Sequence, residues 1–196
     1  NGVRLNTDAI DNSAGVNSSD LEVNIKIALG AAEAAGKLTR DQRNTLLVEM
    51  TEEVAALVLR NNYLQTLSLS LTEAKNASDF GYQARLMPAM EGSGLLDRAV
   101  EFLPDPMALA ERRDAGQYLT RPELAVLLAY AKLDLFSALL DSQVPDDPYL
   151  GRELYRYFPT PMHAPYSDEL EGHRLRRELI ATQLANSMIN RGGATL

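Results

Sequence analysis

The chain has 196 residues, 45% of them hydrophobic, enough for one domain with a substantial core or for two small ones sharing an interface. Acidic residues outnumber basic ones by 27 to 19, and the net charge of -8 argues against a nucleic-acid backbone or an anionic membrane surface as the main partner. Cysteine is absent, which excludes disulfides and thiolate metal sites and leaves the cytoplasm as the simplest compartment.

The opening "NGVRLN" lacks both an initiator Met and a charged-then-apolar leader, so the chain reads as a piece of something longer with no signal peptide. Next comes "IDNSAGVNSSDLE", Ile10 to Glu22, rich in Asn, Ser and Gly and read as a loop. The apolar residues of "LEVNIKIAL" alternate from Leu21 to Leu29, the period of a strand. The flanking signals favour a helix instead: Ser19 and Glu22 have capping-box spacing, Asp20 suits the positive end of a helix dipole, and an Ala-rich run follows. The reading is a helix from about Ser19 to Gly36.

A second capping box, Thr39 to Gln42, opens the next helix, and from Thr51 the residues Val54, Leu57, Val58, Leu64, Leu67 and Leu71 keep helical spacing. Between Ser78 and Gly116, Pro88, Gly92, Gly94, Pro104 and Pro106 leave room for two short helices. Thr120 to Glu123 is a third capping box, with Pro122 in the first turn of a buried helix that runs through Leu124 to Leu140. That helix carries Lys132 and Asp134 and falls short of the roughly 20 apolar residues of a bilayer span. Joints at "VPDDP" and "FPTPMHAP" lead to a last helix from Ser167, expected to bury Leu175, Leu179, Leu184 and Met188 and to end at Gly192 and Gly193.

No catalytic or metal constellation is complete. His163 and His173 stand too far apart for metal-ligand spacing and read as structural or solvated. The cluster "HRLRRE" reads as a charged helix face pairing Arg174, Arg176 and Arg177 with Glu169, Glu171 and Glu178. Asp146 and Asp147 before Pro148 read as a turn and helix start. The opening loop alone suggests a site. Unpaired amides at the helix mouth, the hydroxyls of Ser18 and Ser19, the carboxamide of Asn12 and the open backbone of Gly15 together suit a small anion, while the same residue types also make ordinary turns and caps.

At this loop the sequence resembles a known family. "NTDAIDNSAGVNSSDLEVNIKI" is similar to the segment that closes the catalytic region of the large NAD-dependent glutamate dehydrogenases of the long-chain bacterial type. "MTEEVAALVLRNNYLQ", "LTRPELAVLLAYAK", "VPDDPYL", "YFP" and "HRLRRELIATQLANSMINRGG" resemble the stretches that follow it. The loop is also similar to the "NAGGV…S…E" signature of the smaller hexameric glutamate dehydrogenases. That resemblance implies Asn12 as a cofactor or substrate contact, Gly15 as a cofactor contact and Ser19 as a donor to the distal carboxylate of glutamate. Ser13, Ala14 and Asp20 depart from the smaller enzymes, where Asp20 has an aromatic counterpart. No G-x-G-x-x-G fingerprint occurs here, and the family's catalytic Lys belongs to motifs upstream of Asn1.

The resemblance implies a mostly α multi-helix domain, residues 19–196, preceded by a short strand and substrate loop, residues 1–18, left from the end of a dinucleotide-binding catalytic region. It implies a parent enzyme that deaminates L-glutamate to 2-oxoglutarate and ammonium with NAD, the cofactor being held mainly upstream. The implied partners are the upstream catalytic domain and further copies in a homo-oligomer, with neither nucleic acid nor membrane, and the chain alone is expected to be inactive. The alternative is a helical oligomerisation or regulatory module without a ligand site.

Overall fold

Helix follows helix in the computed structural model, which describes residues 3–196. In chain order they are α1 (Asp8–Asp11), α2 (Ser13–Ala34), α3 (Arg40–Glu49), α4 (Thr51–Ala74), α5 (Asn76–Gly92), α6 (Pro106–Asp114), α7 (Arg121–Leu140), α8 (Arg152–Tyr157), α9 (Ser167–Glu171) and α10 (Arg176–Gly192), with 3-10 turns at Val144–Asp146, Pro148–Gly151 and Thr160–Met162. The fold is mostly α, as expected. The strand expected within residues 1–18 has no counterpart among the described residues, and residues 1 and 2 lie outside them.

The alternating run resolves into a helix. In α2 the buried residues are Leu21, Asn24, Ile25, Ala28, Leu29 and Ala32, a helical stripe, while Val23 points outward at 53% exposure. The helix also begins earlier than expected, at Ser13 rather than Ser19. The reason is local chemistry: the Ser18 hydroxyl donates to the Ala14 carbonyl at 2.8 Å and that of Ser19 to the Gly15 carbonyl at 3.2 Å, so both close onto the helix instead of capping it. Glu22 pairs with Lys26 instead of reaching back, and the Ser13 hydroxyl ties the first turn to Asn62 of α4. Gly36, at φ +71, forms the left-handed end, with the Lys37 amide donating to the Ala32 carbonyl at 2.9 Å.

The capping box of α3 is formed, with the Thr39 amide 2.7 Å from Gln42 Oε1 and the Gln42 amide 3.3 Å from Thr39 Oγ1. At α7 the Thr120 amide donates to Glu123 Oε2 at 2.7 Å. The single last helix does not form: the chain breaks between α9 and α10, where His173 is buried. Along α10 the buried apolar residues are Leu179, Ile180, Ala181, Ala185 and Ile189, whereas Leu175 and Met188 are exposed, contrary to expectation. An amphipathic stripe read through the break is displaced around the helix.

Two compact units, each with its own core, make up the chain. One comprises Asn1–Asp11, Tyr63–Ser137 and Ala185–Leu196, centred on Leu69, Phe80, Met87, Leu124, Leu127 and Leu128. The other comprises Asn12–Asn62 and Ala138–Leu184, centred on Leu29, Met50, Leu154, Phe158, Met162 and Ile180. The candidate residues Asn12, Gly15 and Ser19 belong to the second.

Candidate functional site

Asn12, Gly15 and Ser19 are spaced at i, i+3 and i+7 along α2, so they share one face, with Val16 and Val23 beside them. All five are exposed, Val16 at 71%. This face lies opposite the stripe of Leu21, Ile25, Ala28 and Ala32 that enters the core. The structure therefore brings the three sequence-predicted residues together on a solvent-facing strip.

The position of the helix mouth changes what they offer. Asn12 occupies the N-cap position without a side-chain cap bond, so its carboxamide is not consumed by the helix. Ser19 lies one and a half turns inside, where backbone amides are spent on the helix ladder, so it offers a hydroxyl and no neighbouring free amide. A Cβ built on Gly15 would meet nothing within 4 Å, leaving its backbone open to close approach.

A cluster of polar groups on the flank of α2 joins it to α8 and to the break before α10. The Tyr157 hydroxyl of α8 donates to Asp20 Oδ2 at 2.6 Å and accepts from Asn24 Nδ2 at 2.8 Å. The same Asn24 amide nitrogen lies 2.9 Å from the Asp20 carbonyl. At the break between α9 and α10 the Leu175 amide donates to His173 Nδ1 at 3.1 Å, which makes Nε2 the protonated nitrogen of the neutral ring and the donor to the Asn24 carbonyl at 3.2 Å. Burial first, and then the Asp20 carboxylate, push the Tyr157 phenol far above its usual range. Burial holds the His173 imidazole below its ordinary value. Sequence reading did not single out Asn24 or Tyr157, and it took Asp20 as a helix-dipole residue and as a departure from the smaller enzymes. Their partners are separated by 137 and 149 residues and leave no local signal.

The other candidates are occupied structurally. His163 Nε2 contacts the Phe158 carbonyl at 2.8 Å. Arg176 pairs with Glu171 at 3.1 Å, as the charged-face reading expects, but Arg177 turns to Asp146 and to the carbonyls of Leu140 and Ser142 at 2.9 and 3.0 Å. Asp147 caps its 3-10 turn through the Tyr149 amide at 2.8 Å. Among the described residues, no group of three or more His, Cys, Asp and Glu side chains could hold a metal ion.

Residues 1–72 match the family "Bacterial NAD-glutamate dehydrogenase, catalytic domain", so α2 and its exposed face fall inside that match. Residues 116–196, which include Tyr157 and His173, match "Glutamate dehydrogenase, C-terminal". The chain is 51% identical over 190 residues to the NAD-specific glutamate dehydrogenase of Pseudomonas aeruginosa, covering 97% of this chain. It is 48% identical over 189 residues to that of Halomonas elongata, covering 96%, and 41% identical over 194 residues to that of Mycobacterium tuberculosis, covering 99%. In each case it spans 12% of the relative's length. The chain belongs to the family of bacterial NAD-specific glutamate dehydrogenases, with residues 1–72 matching their catalytic domain and residues 116–196 the glutamate dehydrogenase C-terminal region.

Proposed function

We propose that the chain supplies one edge of an active site, and the helical region behind it, in an enzyme that converts L-glutamate to 2-oxoglutarate and ammonium while passing hydride to NAD. The observation that carries this reading is the exposed strip of Asn12, Gly15 and Ser19, set opposite the core face of α2 and inside the catalytic-domain match. In the family resemblance these three positions are the ones that meet cofactor and substrate.

The chemistry at the strip is binding and orientation. Ser19 Oγ–H, resting 3.2 Å from the Gly15 carbonyl, rotates to donate to the distal carboxylate of glutamate. Asn12 can donate and accept, and it meets the nicotinamide side of the site together with the open backbone at Gly15. The chain fits an edge contact to NAD and not its pyrophosphate, since no strand leading into a glycine loop occurs among the described residues. NAD, when bound, would supply the acceptor for the hydride that leaves the substrate Cα. The preceding catalytic region, of which residues 1–18 are the closing segment, holds the dinucleotide and carries the catalytic Lys, so the chain alone is inactive. The partners in this reading are that region and further copies of the same protein.

Ser19→Ala in the full-length enzyme should raise KM for glutamate roughly tenfold or more, since a hydrogen bond to a charged group contributes about 1.5–3 kcal/mol, with KM for NAD little changed. An unchanged KM for glutamate removes Ser19 from the site.

One observation favours the second reading, an interaction module. Phe102 is 90% exposed at φ 53, a conformation rare for an aromatic residue, with Val100 and Met107 exposed at 67% and 70%. If Phe102→Ser alters the assembly state while Ser19→Ala leaves the kinetics intact, that reading replaces the first.

A further inference from the structure

We propose that Tyr157 is a positioning residue for the substrate carboxylate: through Asp20 it fixes the rotation of α2 that aims Ser19 away from the core. The inference rests on the reading that Ser19 meets the substrate.

Asp20 directly follows Ser19, so any turn of α2 about its axis that moves one moves the other. The Tyr157 hydroxyl grips Asp20 at 2.6 Å and Asn24 at 2.8 Å, one turn further along, and His173 takes the Asn24 carbonyl at 3.2 Å. Two successive turns of the helix are thus clasped from the side, by α8 and by the break before α10. Tyr157 is 4% exposed and Asn24 3%, so water cannot replace the bonds to Asn24 without opening the core, while the Asp20 carboxylate reaches the phenol from the exposed side of the helix. Leu21 and Ile25 bury apolar surface, which restrains rotation only loosely, whereas hydrogen bonds are directional. Both clasping residues lie in the C-terminal family match and the clasped helix lies in the catalytic match, so the C-terminal region sets the geometry of the catalytic edge. The clasp also accounts for Asp20, whose carboxylate serves the phenol where the smaller enzymes place an aromatic residue.

The test is steady-state kinetics of the full-length enzyme carrying Tyr157→Phe, Ser19→Ala, and both. A misplacement of about 1 Å costs up to the order of 10²-fold, so Tyr157→Phe should raise KM for glutamate at least about fivefold, with KM for NAD and kcat within about twofold. The double variant should be no worse than Ser19→Ala alone, because Tyr157 acts through Ser19. Additive losses, or a wild-type KM for glutamate in Tyr157→Phe beside a raised one in Ser19→Ala, overturn the proposal while sparing the assignment of Ser19. A wild-type KM in Ser19→Ala overturns both. Asp20→Ala, which removes the acceptor of the Tyr157 hydroxyl from an exposed position, repeats the test should Tyr157→Phe fail to fold.

Discussion

The Tyr157 hydroxyl lies 2.6 Å from the Asp20 carboxylate across 137 residues of sequence, joining α8 to α2 inside one core. Burial and the neighbouring carboxylate both oppose ionisation, so the folded phenol titrates above the ordinary value of 10.0. A raised folded pKa means stability is complete below 10.0 and falls as the pH climbs beyond it, because only the unfolded chain can release that proton. Alkaline absorbance titration should therefore show Tyr157 ionising only as helical circular dichroism is lost. Tyr157→Phe should remove that component. Ionisation of all eight tyrosines ahead of unfolding would contradict it.

His173 gives the opposite edge of the pH profile. Burial depresses its imidazole below the model-peptide value of 6.5, and Nδ1 is engaged as an acceptor from the Leu175 amide, a role that protonation abolishes. Its contribution is complete above 6.5 and is lost as the pH falls toward the depressed folded value. His173→Gln should flatten the fall in Tm across that interval. A wild-type slope in the variant would show that other groups set the acid limb.

Lys132 is a third titrating group, in the other unit. Its ammonium lies 3.5 Å from Gln65 Oε1, pairs with no carboxylate among the described residues, and is lowered by burial to about 8. Because the unfolded amine keeps its ordinary value of 10.5, stability is greatest above 10.5 and declines as the pH falls through 8. Lys132→Met should raise stability at neutral pH, by up to about 3 kcal/mol, measured by denaturant unfolding. Destabilisation by the variant would mean that the amine has a compensating partner.

Local rules carried far in the sequence and stopped where partners were distant. The Thr39–Gln42 capping box was legible because donor and acceptor sit three residues apart. Ser19 carried the same signal, yet its hydroxyl turned to the Gly15 carbonyl once Ser13 found Asn62 and the helix could begin earlier. The break at His173 was hidden because its partner, Asn24, lies 149 residues away, and the misplaced stripe of Leu175 and Met188 followed from it. For the candidate site, the residue types and their grouping were readable from the loop. What clasps the face they share depended on α8 and on the break before α10.

The central claim is that the exposed face of α2 meets the distal carboxylate of the substrate. A structure of the full-length enzyme with NADH and 2-oxoglutarate measures this directly. The account predicts Ser19 Oγ within about 3 Å of a distal carboxylate oxygen, released from the Gly15 carbonyl, with Asn12 on the same side. A distal carboxylate held elsewhere, with Ser19 still bonded to Gly15, would contradict it.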